Sequence, residues 1–185
     1  MKNLSFIVLS FMILAACNSS SDELASPSAS SSQVTERGNK PRPFQANLTG
    51  VLNLESAPTS CTGGPIALLD YFISGNATHL GNLNAASFLH HDNCNLDLGA
   101  MLLSADVSGD LVGANGDKIT YTGEDVINVY NFLVEPGPTG SITGTWTITG
   151  GTGRFEGATG SFTISGLVDF ATLGFNVAAN GTITY

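Results

Sequence analysis

The densest run of reactive side chains in this 185-residue chain is His90-His91-Asp92-Asn93-Cys94, with His79 upstream. Imidazole, carboxylate and thiol are the ligand types of a zinc site, and the same groups serve in acid–base catalysis. A zinc site needs three or four such groups converging at fixed geometry. Adjacent residues of a strand point to opposite faces, so His90 and His91 cannot chelate one ion together. The stretch therefore reads as a solvated strand end, and no metal is expected. Asp106, Asp110 and Asp117 miss the spacing of a calcium loop and read as exposed turn acids. Glu124 and Asp125 are neighbours on opposite strand faces, which argues against paired acid–base work. Serine is abundant, yet no Gly-x-Ser-x-Gly marks a nucleophile.

A glycine-rich run, GGTGRFEGATGS over residues 150–161, is the other candidate for chemistry. A dinucleotide fingerprint needs Gly-x-Gly-x-x-Gly between a strand and a helix. From Gly151 the spacing is one residue too long, and Phe162-Thr-Ile-Ser follows with a period of two. Without a helix N-terminus nothing holds a pyrophosphate. No Gly-Lys-Ser/Thr occurs either, so no nucleotide cofactor is expected. The run reads as a strand, a structural turn of Gly150, Gly151 and Gly153, and a second strand. Gly151 and Gly153 supply positive φ or close backbone approach, and Phe155 tucks beneath.

The elements that carry these residues are strands. Ile142, Gly144, Trp146 and Ile148 alternate with Thr143, Thr145, Thr147 and Thr149. The same alternation runs through Phe162, Ile164, Gly166, Val168 and Phe170, and again through Phe175, Val177, Ala179, Gly181, Ile183 and Tyr185. Such rows are half-buried strands. Further strands are predicted over 44–54, 68–77, 79–90, 100–113, 117–123 and 125–134, with a hairpin turn at Asn115-Gly116. No helical period is visible. The expected fold is all-β, a closed antiparallel barrel of about eight strands, because closure removes the edges that Thr-rich strands would expose. Tyr121, Trp146, Phe162 and Phe175 are candidates to line a pocket in it, against the competing reading that they are plain core.

The N-terminus reads differently. Lys2 precedes the apolar run Leu4 to Leu14, which marks residues 1–16 as a signal peptide to be removed. Leu14-Ala15-Ala16-Cys17 resembles the bacterial lipobox, and the resemblance implies lipidation of Cys17. Asn18 after it resembles enteric lipoproteins sorted to the outer membrane, facing the periplasm or the surface. Residues 17–43 are Ser- and Pro-rich with no apolar period, a tether of roughly 25–30 Å. Residues 44–185 then form one domain, large enough for a real core. With Cys17 assigned to lipid, Cys61 and Cys94 remain as an even pair in an exported chain, the usage of a disulfide. The chain holds 15 Asp+Glu against 6 Lys+Arg. That balance excludes nucleic acid as a partner and argues against charge-driven docking on anionic lipid, leaving membrane attachment to the anchor.

Gly150-Gly151-Thr152-Gly153, with Phe155, Ala158 and Gly160, resembles the GGTG-x-F-x-x-A-x-G element of dirigent proteins. Those share an eight-stranded barrel with allene oxide cyclases, and exported bacterial proteins with that barrel have a similar layout around Ala77-Thr78-His79-Leu80-Gly81. The resemblance implies an apolar cavity that guides a reactive small molecule, commonly in a homo-trimer. Family chemistry relies on interior acids, and Glu55, Glu124, Glu135 and Glu156 match no motif for that role. Three readings follow. One is a non-enzymatic envelope lipoprotein whose barrel binds an apolar small molecule or serves as a structural or interaction module. Another is a cyclase or isomerase using the cavity, which an ionisable residue of raised pKa facing the interior would favour. The third is a transmembrane β-barrel, suggested by the terminal Tyr185 but disfavoured by the redundant anchor and sparse aromatic girdles. The residues favour the first.

Overall fold

Alternation of large apolar side chains with Thr, Ser and Asn sets the architecture. The structure, a computed structural model, describes residues 40–135 and 137–185. The signal peptide, Cys17 and the tether up to residue 39 lie outside the described residues. The strands are β1 (Arg42–Leu52), β2 (Thr59–Ser60), β3 (Ala67–Leu68), β4 (Tyr71–Ala77), β5 (Gly81–Asn82), β6 (Phe88–Asp97), β7 (Leu102–Val112), β8 (Lys118–Asn128), β9 (Thr139–Gly151), β10 (Thr159–Asp169) and β11 (Phe175–Thr184). A four-residue helix, α1 (Tyr130–Leu133), follows β8.

One large antiparallel sheet runs in the order β1-β11-β10-β9-β8-β7-β6-β4-β5, and β4 pairs back onto β1. The hydrogen bonding is therefore ring-like. Inward rows such as Phe44, Ala46 and Leu48 on β1 or Phe162, Ile164 and Val168 on β10 are buried together in one core. The outward rows of β9 and β10 are Thr143, Thr145, Thr147 and Ser161, Thr163, Ser165, all exposed. Register pairs them across the strands, Thr147 with Ser161 and Thr145 with Thr163.

Three expected boundaries change. The strand expected over 79–90 is broken: His79 takes φ 71 in a turn, only the short β5 pairs with β4, and the long strand begins at Phe88. Asn84 organises that turn by accepting from the Ala86 N–H. The strands expected over 117–123 and 125–134 are one, β8, which runs straight through Glu124 and ends where α1 begins. Four residues of helix are too few to show a period in the sequence. The domain also starts two residues earlier than expected, since Arg42 and Pro43 already pair with Ile183 and Thr182.

The ring has one weak seam. β4 meets β6 only at Tyr71↔Leu89 and Phe72↔Phe88. Beyond Tyr71 the place beside β6 is taken by the 53–70 segment. Its Thr62 N–H donates to the Cys94 carbonyl, and the Leu96 N–H donates to the Thr62 carbonyl. The Thr59 hydroxyl donates to the His91 carbonyl. A Cys61–Cys94 disulfide, spanning 33 positions of sequence, fastens the segment there.

Candidate functional site: an apolar cavity above a buried acid

The two ends of the ring differ. At one end the glycine-rich turn folds inward. Gly153 takes φ 61, a left-handed conformation that suits glycine. A Cβ on Gly151 would run into the Lys118 carbonyl. The Thr152 and Phe155 carbonyls accept from the N–H groups of Phe155 and Ala158. This drives Phe155 to complete burial, edge-on to Tyr185 with ring centroids 4.8 Å apart. The turn is a plug.

The other end is covered by longer elements instead of a tight glycine turn. A cavity of about 150 Å³ lies between the 53–70 segment, α1 and the 170–174 loop, lined among others by Leu68, Tyr71, Leu103, Ile127, Phe132 and Phe170. Its walls are mostly hydrocarbon. The Tyr71 hydroxyl is turned away to donate to the Leu173 carbonyl at 2.7 Å. An apolar space of this size accepts a benzene-sized molecule.

Beneath the cavity sits an acid. Ile127 and Leu103 are paired across β8 and β7 and both line the cavity. The next inward pair down is Asp125↔Ala105, about 6.6 Å deeper along the strands. On the other side Asp125 pairs with Gly144. A Cβ on Gly144 would overlap the Asp125 carboxylate, so the small partners make the niche that admits it. Asp125 is only 2% exposed. Its Oδ1 accepts the Trp146 indole N–H at 2.7 Å. Burial is the main cause that pushes its pKa from 3.8 up to about 7; the indole bond opposes this and the Glu124 charge adds to it. Burial and, after it, the Asp125 charge push the Tyr71 phenol up to about 12.

Trp146 is itself held flat against Tyr121, with ring centroids 4.4 Å apart and planes 1° from parallel. The Tyr121 hydroxyl donates to the Phe88 carbonyl, and burial raises its pKa well above 10. Phe162 packs edge-on to both rings. Tyr121, Trp146, Phe162 and Phe175 are thus core side chains below the cavity and none of them lines it. Tyr71 does line it, and the sequence reading did not single it out.

The histidine pair also departs from expectation. His90 and His91 do face opposite ways, but His91 is not solvated: it is 4% exposed, edge-on to Tyr71, and its Nδ1–H donates to the Leu69 carbonyl at 2.9 Å. Burial lowers its pKa. His90 stays outside, bonded to Asp70 at 2.8 Å, and that bond raises its pKa. Among the described residues no group of His, Cys, Asp and Glu side chains gathers to hold a metal ion. No protein-family model, curated protein or solved structure matches the chain.

Proposed function

We propose that the ring is a closed barrel of the dirigent and allene oxide cyclase type, carried on a bacterial envelope lipoprotein, and that it binds a small apolar molecule at its open end. One observation carries this reading: an apolar cavity of about 150 Å³ at the unplugged end of the ring. A monocyclic ligand, or the tip of a larger one, fits that volume. The outward rows of hydroxyl and amide side chains and the apolar interior are the reverse of a lipid-embedded barrel, which supports a domain standing in water. Anchoring through Cys17, with outer-membrane sorting, completes the reading. Native mass spectrometry of the full chain purified from a bacterial envelope tests it. A reproducible small-molecule adduct is the expected result, with labelled palmitate incorporated in wild type and lost in Cys17→Ser. A clean apo mass that no aromatic probe changes would sink the ligand-binding reading.

Asp125 favours a second reading, an isomerase or cyclase that uses the cavity. A carboxyl poised near neutrality beside an apolar space can donate or accept a proton. Comparing molecules recovered from wild type and from Asp125→Asn separates the two readings. Different molecules from the two proteins mean chemistry; the same molecule means binding alone.

A further inference from the structure

Among the described residues that line the cavity, Tyr71 alone carries a polar side-chain atom. Its ring is fixed, buried between Phe175 at 5.0 Å and His91 at 5.6 Å between ring centroids. Its hydroxyl keeps its proton across the neutral range, since burial first and the Asp125 charge next push the phenol up to about 12. The acceptor of that proton is held far less firmly. Leu173 also lines the cavity, is 41% exposed and takes φ 55, a left-handed conformation uncommon for a residue with a Cβ. Most hydrogen bonds of its loop are local. Asp169 Oδ1 accepts the Ala171 and Thr172 amides, the Thr172 hydroxyl accepts the Gly174 amide, and the Gly174 carbonyl accepts the Asp169 amide. Among the described residues Leu173 itself has one hydrogen bond, from the Tyr71 hydroxyl 102 positions away. Phe170 of the same loop packs on Phe132 of α1 at 5.3 Å and both line the cavity, so a shift of the loop rearranges its wall.

A hydroxyl has one proton to donate and two lone pairs to accept with. A ligand that offers a donor can bond the Tyr71 oxygen with Leu173 still in place. A ligand that offers an acceptor must displace the Leu173 carbonyl. The exchange is close to even, because one hydrogen bond replaces another and the freed carbonyl belongs to an exposed residue that water can reach. Release also lets Leu173 leave its left-handed conformation. We propose that the Tyr71–Leu173 hydrogen bond latches the cavity, and that neutral apolar molecules bearing one acceptor oxygen, of the class of small cyclic ketones, open it by claiming the Tyr71 hydroxyl. This inference deepens the ligand-binding reading above and rests on it.

The test uses the full chain and two NMR readouts. The Leu103 and Ile127 methyls report occupancy of the cavity, and the Leu173 carbonyl carbon reports whether it accepts a hydrogen bond. Toluene and cyclohexanone are titrated, the first without an acceptor and the second with one. Both are expected to shift the methyls. Cyclohexanone alone is expected to move the Leu173 carbonyl signal, toward its position in ligand-free Tyr71→Phe. In that variant toluene is expected to enter and leave about fivefold faster, the worth of one hydrogen bond, with affinity changed less than twofold. If the variant does not fold, the two wild-type titrations decide alone. A Leu173 carbonyl signal that stays put when cyclohexanone fills the cavity, or moves equally with both ligands, overturns the latch and leaves the cavity reading standing. If neither ligand shifts the methyls, the cavity reading falls and the latch falls with it.

Discussion

Trp146 donates its indole N–H to Oδ1 of Asp125 across 2.7 Å, inside a core where both residues are almost wholly buried. The bond orients the carboxyl but does not keep it ionised, because desolvation outweighs it and raises the pKa to about 7. Asp125 is thus a proton-holding group in the folded protein and a carboxylate in the unfolded chain across mildly acidic pH.

The sign of its effect on stability follows. Between about pH 4 and 7 the folded state binds a proton that the unfolded state lacks, so stability falls as pH rises through this window, by roughly 3–4 kcal/mol in total for a shift of this size. Asp125→Asn keeps an acceptor for Trp146 and removes the titration. We expect the variant to match wild type near pH 4–5 and to be more stable by about 2 kcal/mol or more at pH 8. Urea unfolding across this range checks it; parallel pH profiles for the two proteins would show that Asp125 is not the group responsible.

The two adjacent histidines should titrate in opposite directions. The Asp70 bond raises His90, so its contribution to stability is full below its unfolded pKa and is lost as pH rises through the folded one. Burial lowers His91, so the unfolded chain takes up its proton first and stability is lost as pH falls below the ordinary histidine range. Imidazole NMR titration should give one midpoint above 6.5 and one below it, and Asp70→Asn should bring the His90 midpoint down. Two coincident midpoints would contradict the burial assigned to His91.

Much of this fold was legible because a period of two needs no tertiary information. Thr143 to Thr149 and the Phe162 row declared their faces unaided, and the glycine turn declared itself by spacing. Asp125 was hidden by a misplaced boundary. Ile119, Tyr121, Gly123, Asp125 and Ile127 form one inward row, but dividing β8 at Glu124 cut that row and left Asp125 as one of two neighbouring acids on opposite faces. His91 was hidden for another reason. Its burial depends on the Leu69 carbonyl, 22 positions away, which no local pattern reports. The cavity is a place where side chains fail to meet, walled partly by the 53–70 segment, and that segment has no period to read.

Fastening that segment should have a measurable value. The Cys61–Cys94 bridge closes a long loop along the weak seam between β4 and β6. Loop-closure entropy puts the cost of the Cys61→Ser, Cys94→Ser double variant at about 3–4 kcal/mol. Denaturant unfolding would register this as a lower midpoint, and hydrogen exchange should rise first at Thr62 and Leu96, whose amides bond across the seam. An unchanged midpoint would mean the backbone bonds alone hold the segment.

The plug offers a contrasting test at the other end. Phe155 is fully buried and its ring meets Tyr185. Phe155→Ala should cost about 3–5 kcal/mol, the usual range for emptying an aromatic site in a packed core. Probe binding at the open end should survive under conditions where the variant remains folded, because Phe155 does not line that cavity. Loss of binding in a folded variant would show that the two ends are coupled through the core.

Filling the cavity is the most direct check on what it does. Leu103 and Ile127 lie opposite each other in its wall, above Asp125. Leu103→Trp places an indole into the empty space, where overpacking costs about 1–3 kcal/mol and leaves the remaining strands undisturbed. Toluene affinity should fall more than tenfold, while Asp125, one pair deeper, keeps its raised pKa. Ile127→Phe is the milder companion if the tryptophan variant unfolds. Calorimetric titration of toluene, run beside a carbon-13 titration of the Asp125 carboxyl, separates the outcomes. Full toluene affinity in a folded Leu103→Trp protein would place the ligand site somewhere other than this cavity.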